Sequence, residues 1–353
     1  MEPVTHFLTG ACLARAGFNR KTAYATLAMT LAAEAPDLDV VWSIRGPVAA
    51  FQHHRGWTHT FVGVPIEAAV VVGAVWLWDW WKVRRARAQP AARRPETLPP
   101  RWGLLYGFAV IALLSHILLD WTNNYGVRPF FPFNPHWYSG SFVFIFEPVM
   151  FLLLLIGLLA PVLFGLVNSE VGARRERFRG RGWAIFALVS VALLWGWRGW
   201  ERMTAQQLAL GGDFGGAGVV RSTVSPYPVT PFTWHAVVET ADFYQLATID
   251  TWNGTVATSV QEDVFHKSPV TLAMLTAKRS WLGEVYLDWS QFPLVTDGGP
   301  NQDGVSEVTF RDLRFLYDVP FLHGREMSPL SGTVDVNMNR KVVAMEMDGQ
   351  IQH

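Results

Sequence analysis

The sequence predicts a mainly α-helical membrane domain, a bundle of about six helices of which some are short, followed by a β-rich domain. Half of the 353 residues are hydrophobic and only 16% are charged, which is typical of a membrane protein with a soluble part. Beyond residue 205, polar and apolar residues alternate between Gly, Pro, Asn and Asp positions, the pattern of antiparallel strands. We therefore expect a membrane domain at 1–204 and a β-rich domain at 205–353.

The membrane domain begins with two short, Ala-rich helices at 5–17 and 21–35. Each is below the roughly 20 residues that cross a bilayer upright. A loop containing Pro, Gly and His is expected at 36–57. Longer apolar segments follow, each with the length of a membrane span, and they cover residues 60–81, 103–121, 143–167 and 183–200.

The distribution of basic residues predicts the orientation of these spans. Lys and Arg concentrate in the loops 82–101 and 168–182, whereas the loops 36–57 and 122–141 contain few. By the positive-inside rule the two basic loops are cytoplasmic. The loop 36–57 and the C-terminal domain then lie on the extracytoplasmic side of a bacterial cytoplasmic (inner) membrane, which the chain crosses several times.

Composition also excludes some partners and sites. The formal net charge is zero, so nothing suggests binding to nucleic acid. Cys12 is the only cysteine, which excludes an intrachain disulfide and a cysteine-based zinc site. The expected partners are the lipid bilayer and a lipid-like or amphipathic substrate, and the sequence leaves the oligomeric state open.

Histidines and carboxylates collect at the predicted outer ends of the helices. His116 and Asp120 are four residues apart and share one helix face. Ionisable groups within a span are costly and usually mark a site or a partner. Such ligands suit divalent metal ions, zinc above all, with manganese or iron as alternatives, and their number favours two or three ions. The candidate ligands are His6, Asp37, Asp39, His54, His59, His116, Asp120 and Glu147.

One of these ligands, Asp39, and the neighbouring Arg55 are also candidate catalytic residues. Asp39 is either an additional ligand or the general base of a reaction. Arg55 could contact a phosphate through two parallel hydrogen bonds, or it could be a surface arginine at the level of the headgroups. The remaining residues also have structural interpretations, because a His–Asp pair can join two helices and Pro-Asp sequences commonly end or cap them.

The segment from His54 to His59, His-Arg-Gly-Trp-Thr-His, resembles the HRGxTH signature of the YdjM-type family of membrane-bound, predicted metal-dependent hydrolases. The similarity continues in Pro36-Asp37-Leu38-Asp39, in the segment 115–120 and in the turn 122–126, and it covers roughly residues 3–200. Glu147-Pro148 stands where the family tends to have Asp-Pro. The resemblance implies metal-dependent hydrolysis without naming a substrate.

Together these features predict a membrane-bound hydrolase that uses a metal-activated water. A site at the headgroup level favours an ester or phosphoester of a lipid or of another amphipathic molecule as the substrate. The alternative is a membrane protein without enzymatic activity. It would hold a structural metal ion, relay ions or protons through its buried acids and histidines, or anchor a binding β domain.

Overall fold

A computed structural model describes residues 1–87, 98–170, 180–228, 230–258, 263–317 and 328–353. These residues form two compact units, one of Met1–Leu38 with Arg55–Arg198 and one of Asp39–His54 with Gly199–His353. The division near the predicted domain boundary falls inside a helix. The central parts of the two predicted basic loops, 88–97 and 171–179, lie outside the described residues.

The N-terminal region is helical, as the sequence predicts. Helices α4, α5, α6 and α7 are long and apolar enough to cross a membrane, and α1 and α2 are the two short helices expected before them. In chain order the helices of this region are α1 (Pro3–Arg15), α2 (Ala25–Glu34), α3 (Pro47–His53), α4 (Gly63–Arg87), α5 (Trp102–Thr122), α6 (Pro148–Glu170) and α7 (Arg181–Gly211).

The segment 36–57 is more ordered than the loop that the sequence predicts. It contains most of a 3₁₀ helix, Ala35–Arg45, followed by the α-helical turns of α3, and a second 3₁₀ helix, Trp57–His59, comes directly after it. Pro47 begins α3 because a proline in the first turn lacks only an N–H that would have no partner within the helix. Gly46 precedes it with a φ of 106°, a conformation that strongly favours glycine.

Small side chains allow the helices around α1 and α2 to approach closely. Gly10 of α1 lies against Met29 and Ala33 of α2, so that a Cβ at position 10 would stand 2.7 Å from the Ala33 Cβ. The buried core that joins α1, α2, α4 and α5 is rich in alanine and valine. This close packing places the C-terminal end of α2 beside α5.

Helix α6 exposes an apolar surface. Leu152, Ile156, Leu159 and Leu163 are all exposed and follow one another at intervals of three or four residues. Residues at these intervals form one stripe along a helix. Such a stripe suits contact with the hydrocarbon of a bilayer.

The C-terminal region is sheet-rich, which confirms the predicted fold class. Its strands form two antiparallel five-stranded sheets, β1–β5 and β6–β10, with helices α8 (Leu272–Lys278) and α9 (Trp281–Trp289) between them in sequence. The strands are β1 (Arg221–Pro226), β2 (Thr233–Glu239), β3 (Phe243–Asp250), β4 (Thr255–Ala257), β5 (Val264–His266), β6 (Pro293–Pro300), β7 (Val305–Asp312), β8 (Gly332–Asn337), β9 (Val342–Met347) and β10 (Gln350–Ile351).

Replacing Gly10 by leucine tests the close approach of α1 and α2. We expect Gly10→Leu to lower the free energy of unfolding by about 1–3 kcal/mol, because the new side chain overlaps the backbone of α2. Circular dichroism during heating of the detergent-solubilised protein measures the effect. Gly107→Leu in α5 is the control, since a Cβ there meets no atom within 4 Å. Equal unfolding temperatures for both variants would contradict the prediction.

Candidate metal centre

Four side chains of the membrane domain converge on one point. Each offers one ligand atom, and these atoms all lie within 4.8 Å of one another. Asp37 comes from the 3₁₀ helix after α2, His59 from the 3₁₀ helix before α4, and His116 and Asp120 from the last turns of α5. The two histidines and Asp120 are fully buried, whereas the Asp37 side chain is 19% exposed. The group is therefore open to its surroundings on the Asp37 side.

The distances within this group match those expected around a metal ion. The Nε2 atoms of His59 and His116 are 3.0 Å apart. They lie 3.7 and 3.6 Å from Asp37 Oδ1, and 3.2 and 3.5 Å from Asp120 Oδ2. A tetrahedral zinc ion with bonds of about 2.0–2.1 Å separates its ligand atoms by about 3.3–3.4 Å. The five distances, from 3.0 to 3.7 Å, are therefore compatible with ligands of one metal ion.

Hydrogen bonds orient both imidazoles toward the centre of the group. His116 Nδ1 lies 2.7 Å from the carbonyl oxygen of Ala33, which can only accept a hydrogen bond. Nδ1 therefore carries the proton, and Nε2 presents its lone pair to the group. His59 Nδ1 lies 3.0 Å from the hydroxyl of Thr58. Two nitrogens and two carboxylates facing one another make a donor set that a divalent cation fits.

Arg55 holds the carboxylate of Asp120 in place. Its Nη2 donates to Asp120 Oδ1 at 2.9 Å, while Nη1 donates to Asn123 Oδ1 at 3.2 Å and to the Gly126 carbonyl at 2.9 Å. The guanidinium is 4.8 Å from the centre of the Tyr125 ring, and the residue is 4% exposed. These contacts support a role in positioning Asp120, and the phosphate contact stays a prediction from the sequence.

His6 adjoins the group without being one of its four members. Its ring stacks on that of His116 with centroids 3.7 Å apart, and its Nε2 is 3.4 Å from Asp120 Oδ1. The amino group of Met1 contacts the same oxygen. Burial lowers the pKa of His6 to about 3, so its imidazole is neutral at physiological pH. A further nitrogen donor thus lies beside the four.

The remaining predicted ligands are not part of this group. Asp39 and His54 face each other in the second compact unit, with His54 Nδ1 3.4 Å from Asp39 Oδ1. Glu147 is buried immediately before α6, and this burial raises the pKa of its carboxyl, an effect that the positive charge of Arg198 opposes.

Two polar residues near the group were not singled out from the sequence. Asn123, which receives a hydrogen bond from Arg55, lies three residues after Asp120, and its position within the turn 122–126 was the available signal. Glu34 ends α2, three residues before Asp37. Burial and the negative charge of Asp37 raise the pKa of Glu34 to about 7. Its position three residues before the predicted ligand Asp37 could have indicated Glu34 from the sequence.

Comparison with known proteins assigns the chain to a family. Residues 1–205, more than half of the chain and all of the metal group, match the YdjM inner membrane protein family. This protein belongs to the YdjM family. The family and the four spans support a multi-pass location in the inner membrane.

One relative is the uncharacterized protein YfhP of Bacillus subtilis (strain 168), which is 24% identical over 160 residues. The alignment covers 43% of this YdjM-family chain and 43% of YfhP, so the chain spans less than half the length of that relative. No solved structure matches the chain.

Removing a ligand from the group should remove the metal. We expect His116→Ala and Asp120→Ala each to weaken zinc binding by about tenfold or more, because even the partners of metal ligands contribute that much to affinity. Elemental analysis of the purified proteins, followed by zinc titration, measures this. His136→Ala is the control, since His136 is exposed and outside the group. Wild-type metal content in both ligand variants would refute the site.

The positioning role of Arg55 can be separated from substrate binding. Arg55→Lys keeps the charge but loses the planar fork that reaches Asp120, Asn123 and Gly126 together. We expect about 10–100-fold weaker zinc binding, as for other changes around metal ligands. The exposed Arg101→Lys serves as the control. Zinc affinity that is unchanged in Arg55→Lys would instead favour the phosphate contact predicted from the sequence.

Proposed function

We propose that this YdjM-family protein is a membrane-bound, metal-dependent hydrolase acting on an ester or phosphoester. The observation that carries the proposal is the buried group of two imidazoles and two carboxylates, spaced as ligands of one divalent ion. When bound, such an ion lowers the pKa of a coordinated water and polarises the oxygen of a carbonyl or phosphoryl group. Zinc suits the donor set best, with manganese or iron as alternatives.

The residues of the group divide the work between them. His59, His116 and Asp120 would hold the ion, and Arg55 keeps Asp120 turned so that Oδ2 faces the histidines. The second oxygen of Asp37, Oδ2, has no hydrogen-bond partner within the described part of the chain. Asp37 is the least buried of the four residues, and its Oδ2 is a buried atom without a partner there, so we assign this oxygen the acceptance of a proton from water.

Exposed aromatic side chains beside His59 support an amphipathic substrate. Trp57, two residues before His59, is 54% exposed and packs edge-on against Phe131. Phe61, two residues after it, is 46% exposed and contacts Phe130. Rings at the end of a membrane span favour the boundary between hydrocarbon and headgroups. We therefore propose a lipid or lipid-like ester as the substrate, on the extracytoplasmic side that the charge distribution indicates.

A structural metal site is the second candidate, and one observation favours it. The group supplies four protein ligands, the number found in closed structural zinc sites, whereas catalytic zinc usually keeps three and leaves one position open. In the hydrolase, Asp37 would accept a proton from water, whereas in a structural site it would only help to hold the ion. The two candidates therefore differ in the role of Asp37.

Replacing Asp37 by asparagine distinguishes the two. In lipid nanodiscs, the zinc-loaded wild type should hydrolyse bis-p-nitrophenyl phosphate or a phospholipid, and a chelator should abolish turnover. Asp37→Asn keeps a ligand oxygen but removes the proton acceptor, so we expect kcat to fall by about 10²–10⁴-fold while zinc stays bound. His136→Ala should behave as wild type. If the zinc-loaded protein hydrolyses no ester and chelation only lowers its unfolding temperature, the structural site is favoured.

A further inference from the structure

The C-terminal unit contains a cavity of about 420 Å³ on the surface of α8. This volume lies in the range of small-molecule sites. Its lining is mostly aliphatic and cationic. It includes Leu272, Leu275 and Val342, the arginines Arg279 and Arg340, and Thr276. None of them belongs to the metal centre.

Regular secondary structure places these side chains together. Leu272, Leu275 and Arg279 lie at intervals of three and four residues along and just beyond α8, so they project from one face of the helix. Arg340 closes the turn between β8 and β9 with a φ of 58°, and its backbone N–H donates to the Asn337 carbonyl at 2.8 Å. Val342 begins β9. The cavity therefore lies between a helix and a β-turn.

The charges in this cavity are not neutralised by the protein. Within the described residues, the side chains of Arg279 and Arg340 form no ion pair and no hydrogen bond, although other surface cations such as Lys267 and Arg221 are paired with Glu239. Leu272 and Leu275 are 55% and 44% exposed beside them. Two guanidinium groups next to exposed aliphatic carbon are complementary to a molecule with an anionic head and an apolar chain.

We propose that this cavity binds a single-chain amphipathic anion. Its oxyanion head, a phosphate or a carboxylate, would lie between Arg279 and Arg340, and a short alkyl chain would cover Leu272, Leu275 and Val342. The hydroxyl of Thr276 in the lining donates to the Leu272 carbonyl at 3.0 Å, so the two arginines are the donors to the head. The proposal depends on the C-terminal unit alone and not on the hydrolase activity.

Calorimetric titration of the intact protein with hexyl phosphate tests the proposal. The protein is held in nanodiscs of zwitterionic phosphatidylcholine, and empty nanodiscs correct for partitioning of the probe into lipid. We expect Arg279→Gln and Arg340→Gln each to weaken binding by about tenfold, the effect of losing a charged hydrogen bond. Lys278→Gln and Lys341→Gln are matched controls, because each removes one positive charge next to a lining arginine without touching the lining.

The apolar lining has its own test. Leu275→Ser should weaken the binding of hexyl phosphate but leave inorganic phosphate, the weaker ligand, unaffected. Equal losses in the arginine variants and their lysine controls would show general electrostatic attraction and overturn the proposal. Equally tight binding of inorganic phosphate would also overturn it, since the chain would then contribute nothing. So would displacement of hexyl phosphate by phosphatidylglycerol in the same nanodisc, which would assign the arginines to bilayer headgroups.

The test remains decisive if one arginine variant fails to fold. Arg279, Arg340 and Leu275 are all exposed, and circular dichroism before titration shows whether each variant retains its structure. Arg279 follows the last turn of α8, so its replacement could disturb the helix end. Arg340 lies in a separate turn, and Arg340→Gln alone is sufficient to decide the case.

Discussion

A single buried carboxylate, Asp120, is the constraint on which the membrane domain depends. Its side chain is 1% exposed and stands near the end of an apolar helix that is long enough to span the bilayer. An ionised carboxylate in such surroundings costs several kcal/mol unless it is paired and hydrogen-bonded. Arg55 contacts one of its oxygens, and His59 and His116 lie beside the other. Each partner comes to Asp120 because the buried charge requires it.

This requirement also explains the order in the segment before α4. Arg55 has a φ of 53°, an uncommon conformation for a residue with a side chain, and it directs the guanidinium inward to Asp120 and to the turn after α5. The guanidinium thereby joins the segment before α4 to the C-terminal end of α5. Four residues later, the Nε2 atom of His59 lies 3.0 Å from that of His116. Side chains that are already held in this way would lose little conformational entropy when a metal binds.

The C-terminal unit satisfies its buried charges by different means. Asp312 and Arg314 form an ion pair at 2.8 Å in which both side chains are fully buried, and Asp312 also accepts hydrogen bonds from Ser290. Its core combines side chains of both sheets, among them Val237, Leu246 and Leu294. The open arginines beside α8 contrast with this internal pairing.

Local sequence patterns were sufficient to predict the four apolar helices, the sheet-rich C-terminal domain and the pairing of His116 with Asp120. These follow from apolar length, from alternation and from the period of one helix, all of which act over short distances in the chain. Basic residues indicated an orientation, which stays a prediction. The resemblance to the YdjM family was also readable from motifs, and the family match confirms it.

Which of the eight candidate ligands lie together follows from the packing of distant segments and not from their spacing in the sequence. Asp37 joins the group whereas Asp39, two residues away, faces His54, because consecutive side chains of a 3₁₀ helix point in different directions. Glu147 lies near the charge of Arg198, a residue more than fifty positions away that no local pattern connects to it. Spacing along the chain reports neighbours on one helix, but the meeting of separate segments depends on how their side chains pack.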